Sequence, residues 1–241
     1  ASDVYKRQDY NKQRRWGVNE GNRHFYNKDS EYDYDEDKPF DWIRGTQVGG
    51  RSLIWGRQTY RWSDDDFEAN LRYGIAVDWP VRYKEIAPWY SYVEKFIGVS
   101  GEPLNLPHLP DSEFLPAMKL NCVEKELRNS IAKNYSNRIL TIGRVAHITK
   151  GSKDGAGRNV CQYRNRCDRG CPFGSYFSSN SSTLPVAEKT GNLTLRTDSI
   201  GTNIIYNDET KKATGVRVVD VHTKKISKFN AKVIFLCASS M

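Results

Sequence analysis

Nowhere in the 241 residues is there a run of about 18 uninterrupted apolar residues, so no segment reads as a membrane span. The glycine fingerprint G-x-G-x-x-G is missing too, which leaves the chain without a recognisable dinucleotide-binding turn. There is no unbroken block of Lys or Arg. The net charge of +8, from 37 basic and 29 acidic residues, is therefore read as a solvated basic surface or a docking face for an acidic partner, not as a nucleic-acid site. Histidine is scarce. His24, His108, His147 and His222 are scattered without a motif partner, and each is read as a surface or core residue rather than a catalytic one. The five cysteines are an odd number in a chain too long to need a disulfide framework, which favours metal ligation or free thiols. Cys161, Cys167 and Cys171, in CQYRNRCDRGC, are spaced C-x5-C-x3-C with no fourth cysteine following. A structural zinc site normally takes four protein ligands, so this motif is one short.

Aromatic residues are plentiful, with 14 Tyr and 6 Trp, enough to build a sizeable core. Residues 3–8, DVYKRQ, resemble the in-frame translation of a transposon end used in sequencing libraries, so Ala1–Gln8 are expected to be foreign to the protein. The chain as a whole is expected to be an internal piece of a longer one. Residues 9–40, with the acidic run 31–37, have neither a twofold nor a 3.6-residue period and predict an irregular surface excursion. Ser63 before three aspartates predicts a helix start. Pro88 predicts the first turn of a helix whose stripe Trp89, Tyr92, Val93, Phe96 and Ile97 faces the core and which ends at Gly98. Asn121 and Glu124 form a capping-box pattern, with a core-facing stripe of Val123, Leu127 and Ile131, and predict a helix over 122–135. A short helix is expected over 183–189, stopped by Gly191. The β-branched runs 203–206 and 215–221 predict two strands about a turn at 207–210. The apolar run 232–238 predicts a buried strand. Cys122 and Cys237 sit in apolar contexts and are expected in the core. Helices mixed with such strands give an α/β fold class, or mixed α+β, without a repeat or a clean linker.

The segment VGGRSLIWG, residues 48–56, pairs two glycines with a hydroxyl and an indole. Such glycines admit a ligand close to the backbone, although they equally serve a tight turn. Followed by DWPVRYKEIAPWYSYVEKFIGVSG, then CQYRNRCDRGCPFGSYFSSNSSTLPVAEKTGNLTLRTDS, ATGVRVVD and AKVIFLCAS, it resembles the glucose–methanol–choline (GMC) family of flavin oxidoreductases, over about residues 40–241. The likeness is to the bacterial branch of glucose, gluconate, fructose and sorbitol dehydrogenases. It implies an FAD-binding domain of the glutathione-reductase type, incomplete at both ends, spanning residues 9–241 with helical, substrate-side insertions at about 60–150.

The resemblance further implies that Val48, Gly49, Gly50, Ser52, Ile54, Trp55 and Gly56 contact the flavin, and that Gly201 lies near the adenine. Ile54 stands where some relatives carry a flavin-linked histidine, so non-covalent FAD is expected. A subset of relatives carries a 3Fe-4S cluster on three cysteines at this spacing, which assigns Cys161, Cys167 and Cys171 to a cluster, with Arg164, Arg166 and Arg169 making its surroundings cationic. The other reading of these cysteines is reduced structural thiols beside a tight turn at Gly170. The implied activity is oxidation of an alcohol group of a sugar, polyol or sugar acid. Electrons would pass through the cluster to an electron-transfer subunit, in a periplasmic or inner-membrane-associated complex. The catalytic histidine and the dinucleotide fingerprint are expected outside this chain. Two alternatives stand beside this: a cluster-free GMC oxidase or dehydrogenase, and a basic polyanion-binding module with a zinc knuckle.

Overall fold

The computed structural model describes residues 18–28, 38, 43–151 and 156–238. The expectations for Ala1–Gln8, the acidic run 31–37 and the last three residues lie outside them. The chain divides into two compact units, Ala1–Gly191 and Asn192–Met241.

The first unit is built of short helices around a small core. Helices α1 (Asp64–Phe67) and α2 (Ala69–Tyr73) follow one another closely. α1 starts where the aspartates predict, with the Asp66 carboxylate accepting the Ser63 N–H at 2.8 Å. α3 spans Tyr83–Ile97 and α4 spans Cys122–Asn134. At the head of α4 the Asn121 side chain accepts the Glu124 N–H at 2.9 Å and Glu124 accepts the Asn121 N–H at 2.7 Å, the reciprocal cap that the sequence predicts. α5 covers Thr183–Lys189 as expected.

Three helix expectations need correction. α3 starts at Tyr83, so Pro88 stands inside it, where its missing N–H costs the helix one hydrogen bond. Glu85 caps the Arg82 N–H at 2.8 Å, which supplies a start five residues upstream of the proline. The stripe does not face the core as a whole. Trp89, Tyr92 and Val93 are exposed, whereas Ile97 and Glu94 on the same helix are buried. The reason is a polar anchor: Arg61 donates to Glu94 from Nη2 at 2.6 Å and from Nε at 3.0 Å, and both side chains are 4% exposed. That pair turns the Glu94 side of the helix inward. On α4, Val123 and Leu127 are exposed and no residue is buried, so its apolar stripe finds no layer to pack on among the described residues. Cys122, expected in the core, is exposed at the start of this helix.

The core gathers Ile97, Val99 and Ala146, with Trp55, Phe96, Phe114 and Phe177 packed against them. Short extended segments hold it together. Ser100 pairs with Val145, and His147 pairs with Tyr176. Arg158 is buried and donates to the carbonyls of Ile97 at 2.7 Å, Gly174 at 2.7 Å and Ser175 at 3.0 Å. It ties the end of α3 to the chain that leaves the cysteine loop.

The second unit is a three-stranded antiparallel sheet in the order β1 (Ser199–Asn207), β2 (Lys212–Asp220), β3 (Ile226–Asn230). β1 and β2 answer the two β-branched runs. β3 has no such run. The expected buried strand at 232–238 does not form, and Val233, Phe235 and Leu236 are exposed, as is Cys237. The Ala231 N–H makes a last bond to the Thr214 carbonyl at 3.0 Å, after which the chain leaves the sheet and finds no strand partner among the described residues. An apolar run becomes a strand only where a ladder accepts it.

Candidate functional site

The segment 48–56 turns sharply. Gly49 is left-handed, with φ 93°, and leads into a 3-10 turn over Gly50–Leu53. A Cβ on Gly49 would stand 2.6 Å from Asn180 Oδ1, so this glycine answers to Asn180 and to the backbone. Around Gly50 and Gly56, by contrast, the space is open: a Cβ on Gly56 would meet nothing within 4 Å, and one on Gly50 only the Gly45 carbonyl, at 3.7 Å. An approaching cofactor would have room at these two backbones, which fits the implied flavin.

Ser52 is already engaged. Its hydroxyl donates to the Gly49 carbonyl at 2.5 Å and accepts the Ser179 N–H at 2.9 Å. Three further bonds join the same two stretches. Asn180 Nδ2 donates to the Val48 carbonyl at 3.0 Å, Trp55 Nε1 to the Phe177 carbonyl at 3.0 Å, and Tyr176 Oη to the Trp55 carbonyl at 3.1 Å. Residues 48–55 are thereby stapled to residues 176–180, which begin five residues after Cys171. Ile54, half-buried, closes the turn and carries no polar atom toward it.

The three cysteines are free and half-buried, and all line one cavity of about 30 Å³ with Pro172, Phe173 and Ser175. The loop is contorted. Tyr163, Asn165, Gly170 and Gly174 all take left-handed or positive-φ conformations. Backbone groups and a hydroxyl face the sulfurs: the Tyr163 N–H reaches Cys161 Sγ at 3.4 Å, and Ser175 Oγ lies 3.4 Å from Cys171 Sγ. Burial pushes the Cys167 thiol up. Arg57 opposes this, and Cys161, Cys171 and Asp168 add to it. Burial also acts on Cys171, but there the Ser175 hydroxyl and the amides of Tyr176, Phe173 and Ser175 outweigh it and hold the thiol below its usual range. Three thiols around one cavity are the right donor chemistry for iron and sulfide. Their arrangement is not closed on a metal, since no group of three or more His, Cys, Asp or Glu side chains among the described residues is arranged to hold one.

A further group of residues, marked by no motif, acts on these thiols through Arg57 and Tyr176. Arg57 is left-handed, with φ 64°, and its guanidinium carbon sits 5.2 Å from the centre of the Tyr176 ring. Its Nε is buried without a hydrogen-bond partner, as are both ring nitrogens of His147, which is 6% exposed. His147 and Tyr176 are paired across two extended segments, with ring centres 6.0 Å apart. No spacing rule marks such residues, because strand pairing across a loop brings them together. Of the arginines expected near the thiols, Arg164 stacks on Phe173 at 5.7 Å, and the charge that opposes the rise at Cys167 comes from Arg57, which was not among them. Gly201 lies in β1, in the second unit, next to a shift in strand register.

Residues 34–241 match the model of a family described as GMC oxidoreductase. The chain is similar to a 2-methyl-1,2-propanediol dehydrogenase of Mycolicibacterium austroafricanum, 26% identical over 208 residues, covering 80% of this chain and 34% of that protein. It is also similar to a fructose dehydrogenase large subunit of Gluconobacter japonicus, 27% identical over 150 residues, 60% of this chain and 26% of that protein. The chain spans about a third or less of the length of these relatives. No helix among the described residues is long and apolar enough to cross a membrane.

Proposed function

The chain belongs to the GMC oxidoreductase family, and from that premise we propose that it is part of an FAD-dependent dehydrogenase oxidising an alcohol group of a sugar, polyol or sugar acid. The observation that carries the reading is the staple between residues 48–55, the stretch likened to a flavin loop, and residues 176–180, which continue the cysteine loop. A redox cofactor held at the first would lie beside thiols held at the second. Bound FAD would supply the acceptor for the substrate's hydride, and a 3Fe-4S centre on the thiols a one-electron outlet.

This chain's own residues then have distinct tasks. Gly50 and Gly56 leave their backbones open to the cofactor, and Asn180 and Ser52 keep the turn in shape. Trp55 would pack beside the flavin while its ring and N–H anchor it to Phe177. Val48 and Ile54 line the turn with apolar surface, and Ile54 leaves FAD non-covalent. Cys161, Cys167 and Cys171 hold the cluster. The wider reading includes a glutathione-reductase-type FAD domain with Gly201 near the adenine, a catalytic base from another part of the protein, an electron-transfer subunit as partner and a periplasmic-side complex.

The test is anaerobic purification of the complete protein, with flavin and iron contents, low-temperature EPR, and dye reduction with fructose, gluconate and 2-methyl-1,2-propanediol. Flavin with about three irons per chain and polyol-driven dye reduction is the expected result. Flavin without iron would leave the cluster-free dehydrogenase or oxidase. Zinc with no flavin, and salt-sensitive polyanion binding, would overturn the proposal in favour of the binding module.

A further inference from the structure

Between Cys167 and Cys171 stand three residues, Asp168, Arg169 and Gly170, and a segment some 146 residues earlier touches each of them. Asn19 Nδ2 donates to Asp168 Oδ2 at 2.9 Å, and Asn22 Nδ2 donates to the same oxygen at 3.1 Å. Gly21 lies against the Arg169 side chain so closely that a Cβ there would stand 2.8 Å from its Cδ and Nε. Phe25 Cζ would be 3.6 Å from a Cβ on Gly170. The segment is not a loose excursion at this point. Val18 is 5% exposed and Asn22 is 1% exposed, and the Asn22 carbonyl oxygen Oδ1 accepts the Asn19 N–H at 2.7 Å. Residues Arg23–Phe25 close it with a 3-10 turn.

We propose that residues 19–25 form a strap gripping the spacer between Cys167 and Cys171, with Asn19 and Asn22 as positioning residues for those thiols. The inference rests on reading the three thiols as ligands of one iron–sulfur centre. Asp168 directly follows Cys167 in a three-residue 3-10 turn, so fixing its carboxylate with two amides fixes the direction of the Cys167 side chain. Two donors on one carboxylate oxygen also satisfy a group whose charge would otherwise sit bare beside the thiols. Ligands held within about 0.5 Å of productive geometry bind a centre without paying to order the loop. Cys161 is held elsewhere, its backbone N–H donating to the Ile148 carbonyl at 2.8 Å. The strap therefore acts on two of the three sulfurs.

The experiment compares the complete protein with its Asn22→Asp and Asn19→Ala variants. The first is isosteric and removes a donor; the second touches a half-buried amide, so at least one folded variant is expected. In reduced, iron-free protein, iodoacetamide labelling is followed at each cysteine by mass spectrometry, with exposed Cys122 as the reference. The expected result is about a fivefold faster labelling of Cys167, the change in open population that one lost hydrogen bond allows. Cys122 should be unchanged. In iron-loaded protein the EPR line shape should change and iron per chain should fall, with flavin content constant. Parental labelling at Cys167 and Cys171 in both variants would overturn the strap, and so would a uniform rise that includes Cys122. A parent protein without iron would remove the cluster reading alone, because labelling tests the strap without any metal.

Discussion

Two nitrogen atoms of His147 lie buried without a hydrogen-bond partner, beside Arg57 and Arg158. Burial first, and then the two guanidinium charges, push this imidazole down to about 4. The unfolded chain would titrate it near 6.5. The folded value is depressed, so the stability is intact above pH 6.5 and is lost as pH falls from there through 4, by on the order of 3 kcal/mol. Denaturant melts at pH 7 and pH 4.5 should show a loss in the parent that a His147→Gln variant largely lacks. The thiols divide in the opposite senses. Cys171 is held down by hydrogen bonds and Cys167 is pushed up by burial, so iodoacetamide at pH 7.5 should label Cys171 before Cys167 in iron-free protein. Replacing Arg57 by Gln removes the charge that opposes the rise at Cys167 and should slow its labelling further, with Cys171 little affected. Neither His147 nor Arg57 is marked in the sequence. A lone histidine and one arginine among many carry no spacing signal, and the sequence reading placed His147 only as surface or core. The cysteines were legible because three of one reactive type fall within eleven residues.

Helix ends follow from the sequence at three places where the signal is local, whereas the start expected at Pro88 gives way to the Glu85 cap on Arg82. The Asn121 box, the Ser63 start and the Gly98 stop, which is left-handed with φ 75°, each depend on residues within one turn. Helix faces were read poorly, because the burying partner lies elsewhere in the chain. α3 shows this. Its inward direction follows Glu94, whose partner Arg61 is 33 residues away, and not its aromatic stripe. Arg61 also donates to Tyr83 Oη at 3.0 Å and Ser91 Oγ at 2.9 Å, so it fastens the helix at three points along its length. Arg61→Ala should destabilise the first unit by about 3–5 kcal/mol, since it leaves Glu94 buried without its partner. Arg61→Met with Glu94→Leu should recover much of that loss, as equilibrium unfolding in urea would show. Strands followed the same logic. β1 and β2 were legible from β-branched runs, whereas the apolar run 232–238 forms no strand because no ladder receives it among the described residues.

Across the whole molecule, family membership was legible from the order of several blocks at once, which a single motif does not give. Each of the two units also exposes large apolar side chains. Trp89, Tyr92, Val77, Ile75, Phe235 and Leu236 are all open to solvent. Expressed by itself, the chain should bind an environment-sensitive dye such as ANS and self-associate. Phe235→Ser with Leu236→Ser should reduce both, as light scattering would show. The strap across the cysteine spacer has a further consequence, in time. Its contacts join residues 146 and 149 positions apart. At roughly 5–20 residues per second of synthesis, Asn19 is made about 7–30 seconds before Asp168. For that interval the amides have nothing to hold, and the first two thiols of the motif emerge ahead of the third. The grip on the spacer therefore waits on Asp168, and a nascent chain that stops at Cys167 carries two thiols of the motif that the strap cannot yet hold.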